Sequence, residues 1–222
     1  MEIDDTLPKC PLVVIDGPNV AFAYAQTLHN NSSLSAATST TTNTRVEPDV
    51  KGIEIASTYF INAGCRVQIV IPTYWLRKKP KHGTNSSDNA LMITEQLEIL
   101  QRLQSQNLLL CSPPTDDDDA YAIAVARRED ARSQKRRAPQ FEQQTLSSNS
   151  NTSTSCDVLS VCGAFILSND LFRDAIRRDV SSDLSNWLRG KGSQRSESLS
   201  GRISYSFCDV GCMDLDFVAN PR

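Results

Sequence analysis

PLVVIDGPNVA, residues 11–21, is the stretch on which the fold of this chain depends. Its apolar run, residues 12–15, has the length and the β-branched content of a fully buried strand. The run stops at Asp16, and Gly17 and Pro18 predict a turn directly after it. This places a carboxylate at the carboxyl end of a core strand, where open α/β sheets bind their ligands. A simple helix cap is the alternative interpretation of Asp16.

The composition is that of a globular protein with polar insertions. The chain has 222 residues and a formal net charge of -3, and no apolar run approaches the length of about 18 residues that a membrane span needs. The acidic N-terminus lacks the basic and apolar parts of a secretory signal, so we expect a cytoplasmic or nuclear protein without a membrane partner. Seven cysteines show no zinc-finger spacing and are expected to be free thiols.

Strand-like and helix-like segments alternate along the chain. Further strands are predicted at residues 66–71, 107–111, 161–167 and 203–207. This alternation predicts the α/β class, as a three-layer α/β/α domain with a mostly parallel central sheet. We expect one domain over residues 11–209, with a tail at 1–10 and another at 210–222. Two low-complexity insertions are predicted within the domain, at about 30–45 and 131–156.

Aspartates follow three of the predicted strands. They are Asp16, the pair Asp118 and Asp119, and Asp170 with Asp174 four residues later. The carboxyl ends of parallel strands share one edge of a sheet, and a spacing of four residues places two side chains on one helix face. Five like charges repel unless a hard cation such as Mg²⁺ or Mn²⁺ neutralises them. Ordinary helix capping explains each aspartate singly but not the repetition.

Several of these stretches together resemble a known family. The matching stretches are VVIDGPNVA at 13–21, VIP at 70–72 leading to WLRK at 75–78, Asp118-Asp119 before Tyr121, ILSNDLFRD at 166–174, and the end at 202–207. The sequence resembles an NYN domain of the PIN-like nuclease superfamily, and within it the Regnase-like ribonucleases that usually carry a CCCH zinc finger. Two features depart from that pattern. Pro18 stands where close relatives often have Ser, and the four aspartates at 116–119 obscure which two form the acidic pair. No zinc-finger spacing is present.

The resemblance implies a PIN-like, Rossmann-like fold and a metal-dependent ribonuclease site. All five aspartates would be catalytic, and four would bind Mg²⁺ or Mn²⁺: Asp16, Asp119, Asp170 and Asp174. Asn19 would shape the loop at the metal and contact RNA, and Asn169 would steady its neighbour. The register of the acidic pair within the run 116–119 stays open by a residue or two.

Basic and aromatic residues predict an RNA-binding surface. Arg77 and Lys78 follow Tyr74 and Trp75 near a strand end, a combination that suits phosphate pairing and base stacking, although a solvated loop is the alternative. The predicted RNA contacts are Asn19, Trp75, Arg77, Lys78 and Arg173. The RNA partner is expected to be single-stranded or stem-loop mRNA, as in mRNA decay, with a protein partner for targeting.

The sequence thus favours a metal-dependent endoribonuclease that acts on single-stranded RNA through a metal-activated water. A catalytically silent RNA-binding or scaffold module of the same fold is the first alternative. A phosphatase of the haloacid-dehalogenase type is the second, but that class needs a second aspartate two residues after the first, where this chain has Pro18.

Overall fold

A computed structural model of the chain describes residues 10–35, 46–77, 94–114, 117–144, 163–190, 201–208 and 215–220. Within these ranges the strands are β1 (Leu12–Asp16), β2 (Arg66–Pro72), β3 (Leu109–Ser112), β4 (Ala164–Leu167), β5 (Gly201–Cys208) and β6 (Asp216–Asn220). The α-helices are α1 (Gly17–Ser35), α2 (Lys51–Asn62), α3 (Thr94–Ser105), α4 (Asp118–Gln144), α5 (Arg173–Arg178) and α6 (Asp183–Leu188). A short 3-10 helix spans Thr73–Leu76.

The described strands form one sheet in the order β3-β2-β1-β4-β5-β6. All pairings from β3 to β5 are parallel, and β6 pairs with β5 in the antiparallel direction. β1 lies between β2 and β4, and all five of its residues are buried. A strand covered on both faces needs a continuous apolar run rather than an alternating one, which is what residues 12–15 provide.

Two apolar cores lie on opposite faces of this sheet. Val13 and Ile15 pack with buried residues of α1, α2 and α3, whereas Leu12 and Val14 pack with buried residues of α4 and α6 and with the apolar side of α5. Successive strand residues point to opposite faces, so the alternation along β1 assigns each helix group to one side. The predicted three-layer α/β/α fold with a mostly parallel sheet is confirmed.

The strand order reverses next to β1. From β1 the chain continues outward to β2 and then β3, and it returns to the other side of β1 for β4. A parallel sheet opens a crevice at such a switch point, outside the carboxyl ends of the two strands. The crevice of this protein therefore lies between the end of β1, at Asp16, and the end of β4, at Leu167.

Secondary structure extends into three segments that were predicted as insertions or a tail. The segment 210–222 is not simply a tail, because β6 extends the sheet there and its Phe217 packs in the core with Tyr205 and Phe207. Helix α4 continues to Gln144, into the segment predicted as the second insertion, and α1 continues to Ser35, into the first. The remainders of those insertions, residues 36–45 and 145–156, lie outside the described residues, as does the tail at 1–9.

Gly17 allows α1 to start close to the sheet. A Cβ atom at this position would lie 2.5 Å from the Val70 carbonyl oxygen and 2.7 Å from the Ile71 Cγ2 atom. The glycine predicted as a turn former therefore serves close packing of the helix start against β2, which brings the polar residues of that helix start to the crevice.

We expect Gly17→Ala to destabilise the fold by about 3 kcal/mol or more, because a rigid backbone atom must move to admit the methyl group. Gly64→Ala is the matched control, since Gly64 has φ +77° but nothing within 4 Å of an added Cβ, and its cost should stay near about 1 kcal/mol. Urea unfolding of both variants gives the comparison. An equal or smaller loss at Gly17 would contradict the close packing described here.

Candidate active site

Asp16 occupies the deepest position of the crevice. Its side chain is only 3% exposed. One carboxylate oxygen, Oδ1, accepts a hydrogen bond from the Asn19 backbone N–H at 3.3 Å, and Oδ2 accepts one from the Ser168 hydroxyl at 2.8 Å. The bond to Asn19 is the helix cap that the simpler interpretation of Asp16 predicts. The cap leaves the carboxylate in the crevice, so both interpretations of this residue apply.

The loop after β4 brings a second carboxylate to the same place. The Ser168 hydroxyl, which donates to Asp16, also accepts the backbone N–H of Asp170 at 3.0 Å. Asp170 Oδ1 accepts the Phe172 backbone N–H at 2.8 Å, and the Asp170 side chain is exposed to solvent. Ser168 therefore sets the relative positions of Asp16 and Asp170, a role that the sequence motif contained but did not reveal.

Asp170 and Asp174 do not share a helix face, contrary to the prediction from their spacing. Phe172 is buried, adopts φ +51°, and ends the extended loop so that α5 begins only at Arg173. Asp174 lies on that helix with an 85% exposed side chain and forms an ion pair with Arg177 at 3.2 Å. Its place is the outer wall of the crevice.

Hydrogen bonds among Asn19, Asn169 and Tyr205 join the elements that form the crevice. Asn19 Oδ1 accepts hydrogen bonds from the Tyr205 hydroxyl at 2.7 Å and from the Asn169 backbone N–H at 2.8 Å. The Asn169 side chain in turn bonds to the backbone N–H and carbonyl oxygen of Tyr205, both at 3.1 Å. Burial and the nearby Asp16 raise the pKa of Tyr205, which keeps the hydroxyl a hydrogen-bond donor. Asn19 thus links the start of α1 to the loop after β4 and to β5. Its contact with RNA stays a prediction.

The acidic run before α4 divides into three environments. Asp117 is exposed and pairs with Arg178 at 3.1 Å, whereas Asp118, the first residue of α4, accepts a hydrogen bond from the Ser112 hydroxyl. Asp119 is partly buried and interacts electrostatically with both Asp16 and Asp170. Asp116 lies outside the described residues. Among the described members of the run, Asp119 is therefore the one whose charge acts on Asp16.

Three carboxylates, Asp16, Asp119 and Asp170, are electrostatically coupled. Burial raises the pKa of Asp16 from 3.8 to about 7, and repulsion from Asp119 and Asp170 adds to this despite the opposing hydrogen bonds. Burial also raises the pKa of Asp119 to about 6, helped by Asp117, Asp170 and Asp118 and opposed by Arg178. Charged carboxylates are disfavoured here without a neutralising partner.

The crevice consists of two clefts that meet at Asp119, Asn169 and Asp170. One cleft, of about 470 Å³, is walled by α5 and carries three arginines, Arg173, Arg177 and Arg178. The other, of about 410 Å³, contains Asp16 and is walled by Pro18, Phe22, Ala23 and Gln26 of α1. The carboxylates therefore lie between a basic wall and a largely apolar wall.

Among the described residues, no three Asp, Glu, His or Cys side chains lie close enough together to hold a metal ion as they stand. The donor chemistry nevertheless fits a hard cation, because the coupled groups are carboxylates whose mutual repulsion a cation would relieve. Mg²⁺ retains several waters and commonly binds through only one or two carboxylates, so a completed cage is not required. The coupled trio is thus suited to such an ion, whereas the ion-paired Asp174 is less suited.

The predicted RNA-contacting residues have different outcomes. Trp75 is wrong as a stacking residue, because the 3-10 helix turns its ring into the core and leaves it 1% exposed. Its neighbour Tyr74 is 37% exposed, and Arg77 is exposed as well. Arg173 lies in the basic cleft and forms no ion pair within the described part of the chain. Lys78 lies outside the described residues.

The fold and the site together place this chain among the α/β domains that carry an acidic site at the switch point of a mostly parallel sheet. A protein-family model described as "Zc3h12a-like Ribonuclease NYN domain" matches residues 10–132, more than half of the chain. The chain belongs to this ribonuclease domain family. A search of curated proteins finds no match. The matched range includes Asp16 and Asp119, and the fold adds Asp170 from beyond it.

Within the ranges that the structure covers, no helix is long and apolar enough to cross a membrane.

The raised pKa of Asp16 predicts a pH-dependent stability in the presence of a chelator. The unfolded chain ionises this group near pH 3.8 and the folded chain near pH 7, so the folded state binds more protons in between. The contribution of Asp16 to the free energy of unfolding is complete below about pH 4 and is lost as the pH rises to about 7. The loss amounts to a few kcal/mol, at about 1.4 kcal/mol per pKa unit.

Asp16→Asn removes this titration and should be at least as stable as the wild type at pH 8. Urea unfolding of both proteins at pH 5 and pH 8 in EDTA measures the difference. The wild type should lose more stability over this range than the variant, and parallel losses would contradict the raised pKa.

Proposed function

We propose that this chain is a metal-dependent endoribonuclease that cleaves single-stranded RNA at the crevice between β1 and β4. The observation that supports the proposal is the coupling of three carboxylates, Asp16, Asp119 and Asp170, at the switch point of a ribonuclease-family domain. A domain that only binds RNA gains nothing from the electrostatic cost of this arrangement.

Asp16, Asp119 and Asp170 would hold Mg²⁺ or Mn²⁺. When bound, such an ion polarises a phosphoryl oxygen and lowers the pKa of a bound water. The Ser168 hydroxyl bonds to the Asp16 carboxylate and to the backbone N–H of Asp170, and so positions these two residues relative to each other. Burial of Asp16 keeps bulk water from one side of the site, which strengthens electrostatic interactions there. Asp118, held by Ser112, lies next to Asp119 and would support it, and Asp174 would act from the outer wall.

The shape of the crevice supports an unpaired strand as substrate. Asp16 is 3% exposed, so a phosphodiester must enter the crevice to approach it. A duplex is stiff over tens of base pairs, whereas a single strand or the loop of a stem-loop bends readily. Arg173 and, further along the surface, Arg77 would pair with phosphates, which position RNA without reading its sequence. Choice of a target, such as an mRNA in decay, would then need RNA shape or a protein partner.

Circular single-stranded RNA gives the direct test of endonuclease activity, because it has no ends for an exonuclease. We expect the wild type to linearise the circle with Mn²⁺ or Mg²⁺ and to leave it intact in EDTA. Binding without linearisation would instead support the catalytically silent RNA-binding module.

We expect Asp119→Asn to lower the linearisation rate by at least about a hundredfold, more than loss of an outer-shell partner usually costs. Asp117→Asn is the matched control from the same acidic run. Asp117 lines the α5-side cleft, but it is exposed, pairs with Arg178 and does not line the cleft that contains Asp16, so the variant should retain activity within about tenfold. Single-turnover rates with saturating Mn²⁺ give the comparison. Equal losses in the two variants would indicate bulk negative charge rather than a defined ligand.

Arg173→Ala should weaken RNA binding and reduce its salt dependence by about one phosphate contact, a change in slope of about 0.7 for a single strand. Arg128→Ala is the control, because that exposed arginine lines a groove at the amino ends of β1 and β2, away from the crevice. Fluorescence anisotropy of labelled RNA in the Asp16→Asn background, over a range of KCl concentrations, measures both slopes. Identical salt dependences of RNA binding for the two variants would indicate that Arg173 does not contact RNA.

A further inference from the structure

Phe22 is exposed in the wall of the cleft that contains Asp16. It lies on α1, three residues after Asn19, and its side chain is 43% exposed. The same cleft is lined by Asp16, Asp119 and Asp170. Phe22 is therefore an exposed aromatic residue in the same cleft as the three coupled carboxylates.

Exposure sets Phe22 apart from the other phenylalanines whose side chains the structure describes. Phe60, Phe172, Phe207 and Phe217 are all between 3% and 8% exposed, and Phe165 is partly buried. A single exposed apolar residue is common on protein surfaces and needs no explanation by itself. The informative feature is its position beside a site with charged groups, where an aromatic face is available to a ligand.

The geometry of α1 gives the distance scale. Pro18, Phe22 and Gln26 follow each other at four-residue steps, so they lie along one helix face and form the wall of the cleft. A step of four residues advances about 6 Å along the helix, which is close to two stacked bases at about 3.4 Å each. Asp16 directly precedes α1 and Phe22 follows it by six residues, a rise of about 9 Å along the helix, so a base on Phe22 would belong to a nucleotide near a phosphodiester at the carboxylates.

The two clefts also differ in chemistry. The cleft on the α5 side offers arginines, and the cleft on the α1 side offers Phe22 and Pro18, with Asp119, Asn169 and Asp170 shared between them. A nucleic-acid strand has both a charged backbone and flat bases, so it satisfies both walls at once. A free phosphate would use only the basic wall, and an apolar ligand only the other.

We infer that Phe22 is a substrate-binding residue on which one unpaired RNA base stacks, one or two nucleotides from the phosphodiester that is cleaved. This inference rests on the proposed function. It replaces the stacking predicted for Trp75, whose ring is in the core, and Tyr74 lines neither cleft. Stacking on Phe22 orients the strand and excludes a duplex, in which bases are already paired and stacked.

A short oligouridylate with one abasic nucleotide at its centre tests this inference. The wild type should cut at many linkages but show reduced cleavage at one or two linkages at a fixed distance from the abasic position, since no base is available there to stack on Phe22. Phe22→Ala should lower kcat/KM on the intact oligouridylate by about 5- to 100-fold, mainly through KM, as loss of stacking on an aromatic ring does. The reduced cleavage near the abasic position should then disappear.

Phe22→Tyr and Phe22→Trp should restore both the KM and the local reduction, which a merely structural role of Phe22 would not predict. Tyr59→Ala is the matched control, because Tyr59 is 44% exposed but lies on α2 outside both clefts, and it should keep the wild-type pattern. A reduction that persists in Phe22→Ala, or is absent in the wild type, overturns the inference alone. No metal-dependent cleavage by the wild type overturns the proposed function instead.

Discussion

Burial of the Asp16 carboxylate at the carboxyl end of β1 is the constraint on which the rest of the site depends. The central strand has neighbours on both sides and apolar cores on both faces, so its last side chain has little access to water. Burial makes ionisation costly there and raises the pKa of Asp16 to about 7. The surrounding hydrogen bonds from Ser168 and Asn19 offset this cost only in part, and a bound cation would offset more of it.

The residues that surround Asp16 come from segments far apart in sequence. Asn19 from α1, Asn169 after β4 and Tyr205 on β5 are joined by hydrogen bonds of 2.7–3.1 Å. The sheet order explains why, since β4 and β5 follow each other on the side of β1 away from β2. These hydrogen bonds tie the loop that carries Asp170 to α1 and β5, which suits a site that must position a phosphodiester.

Local signals in the sequence predicted β1, the acidic crevice and the fold class, because each depends on contiguous residues: an apolar run, a turn, or an aspartate directly after a strand. The prediction that Trp75 stacks on RNA failed because the burial of a single aromatic residue in a short 3-10 helix depends on which residues pack over it. The exposure of Phe22 could not be predicted from local sequence either, because exposure in a cleft depends on the tertiary structure. Strand β6 was missed because its alternating pattern gains meaning only beside β5, where Phe217 reaches the core.

We propose that a divalent cation relieves the repulsion around Asp16. The most direct measurement is the melting temperature of the wild type and of Asp16→Asn in EDTA and across a Mn²⁺ titration at pH 7.5. The wild type should melt at a rising temperature as Mn²⁺ is added, as binding to the folded state alone requires, and the variant should show little or no rise. An equal rise in both proteins, or none in the wild type, would contradict the account.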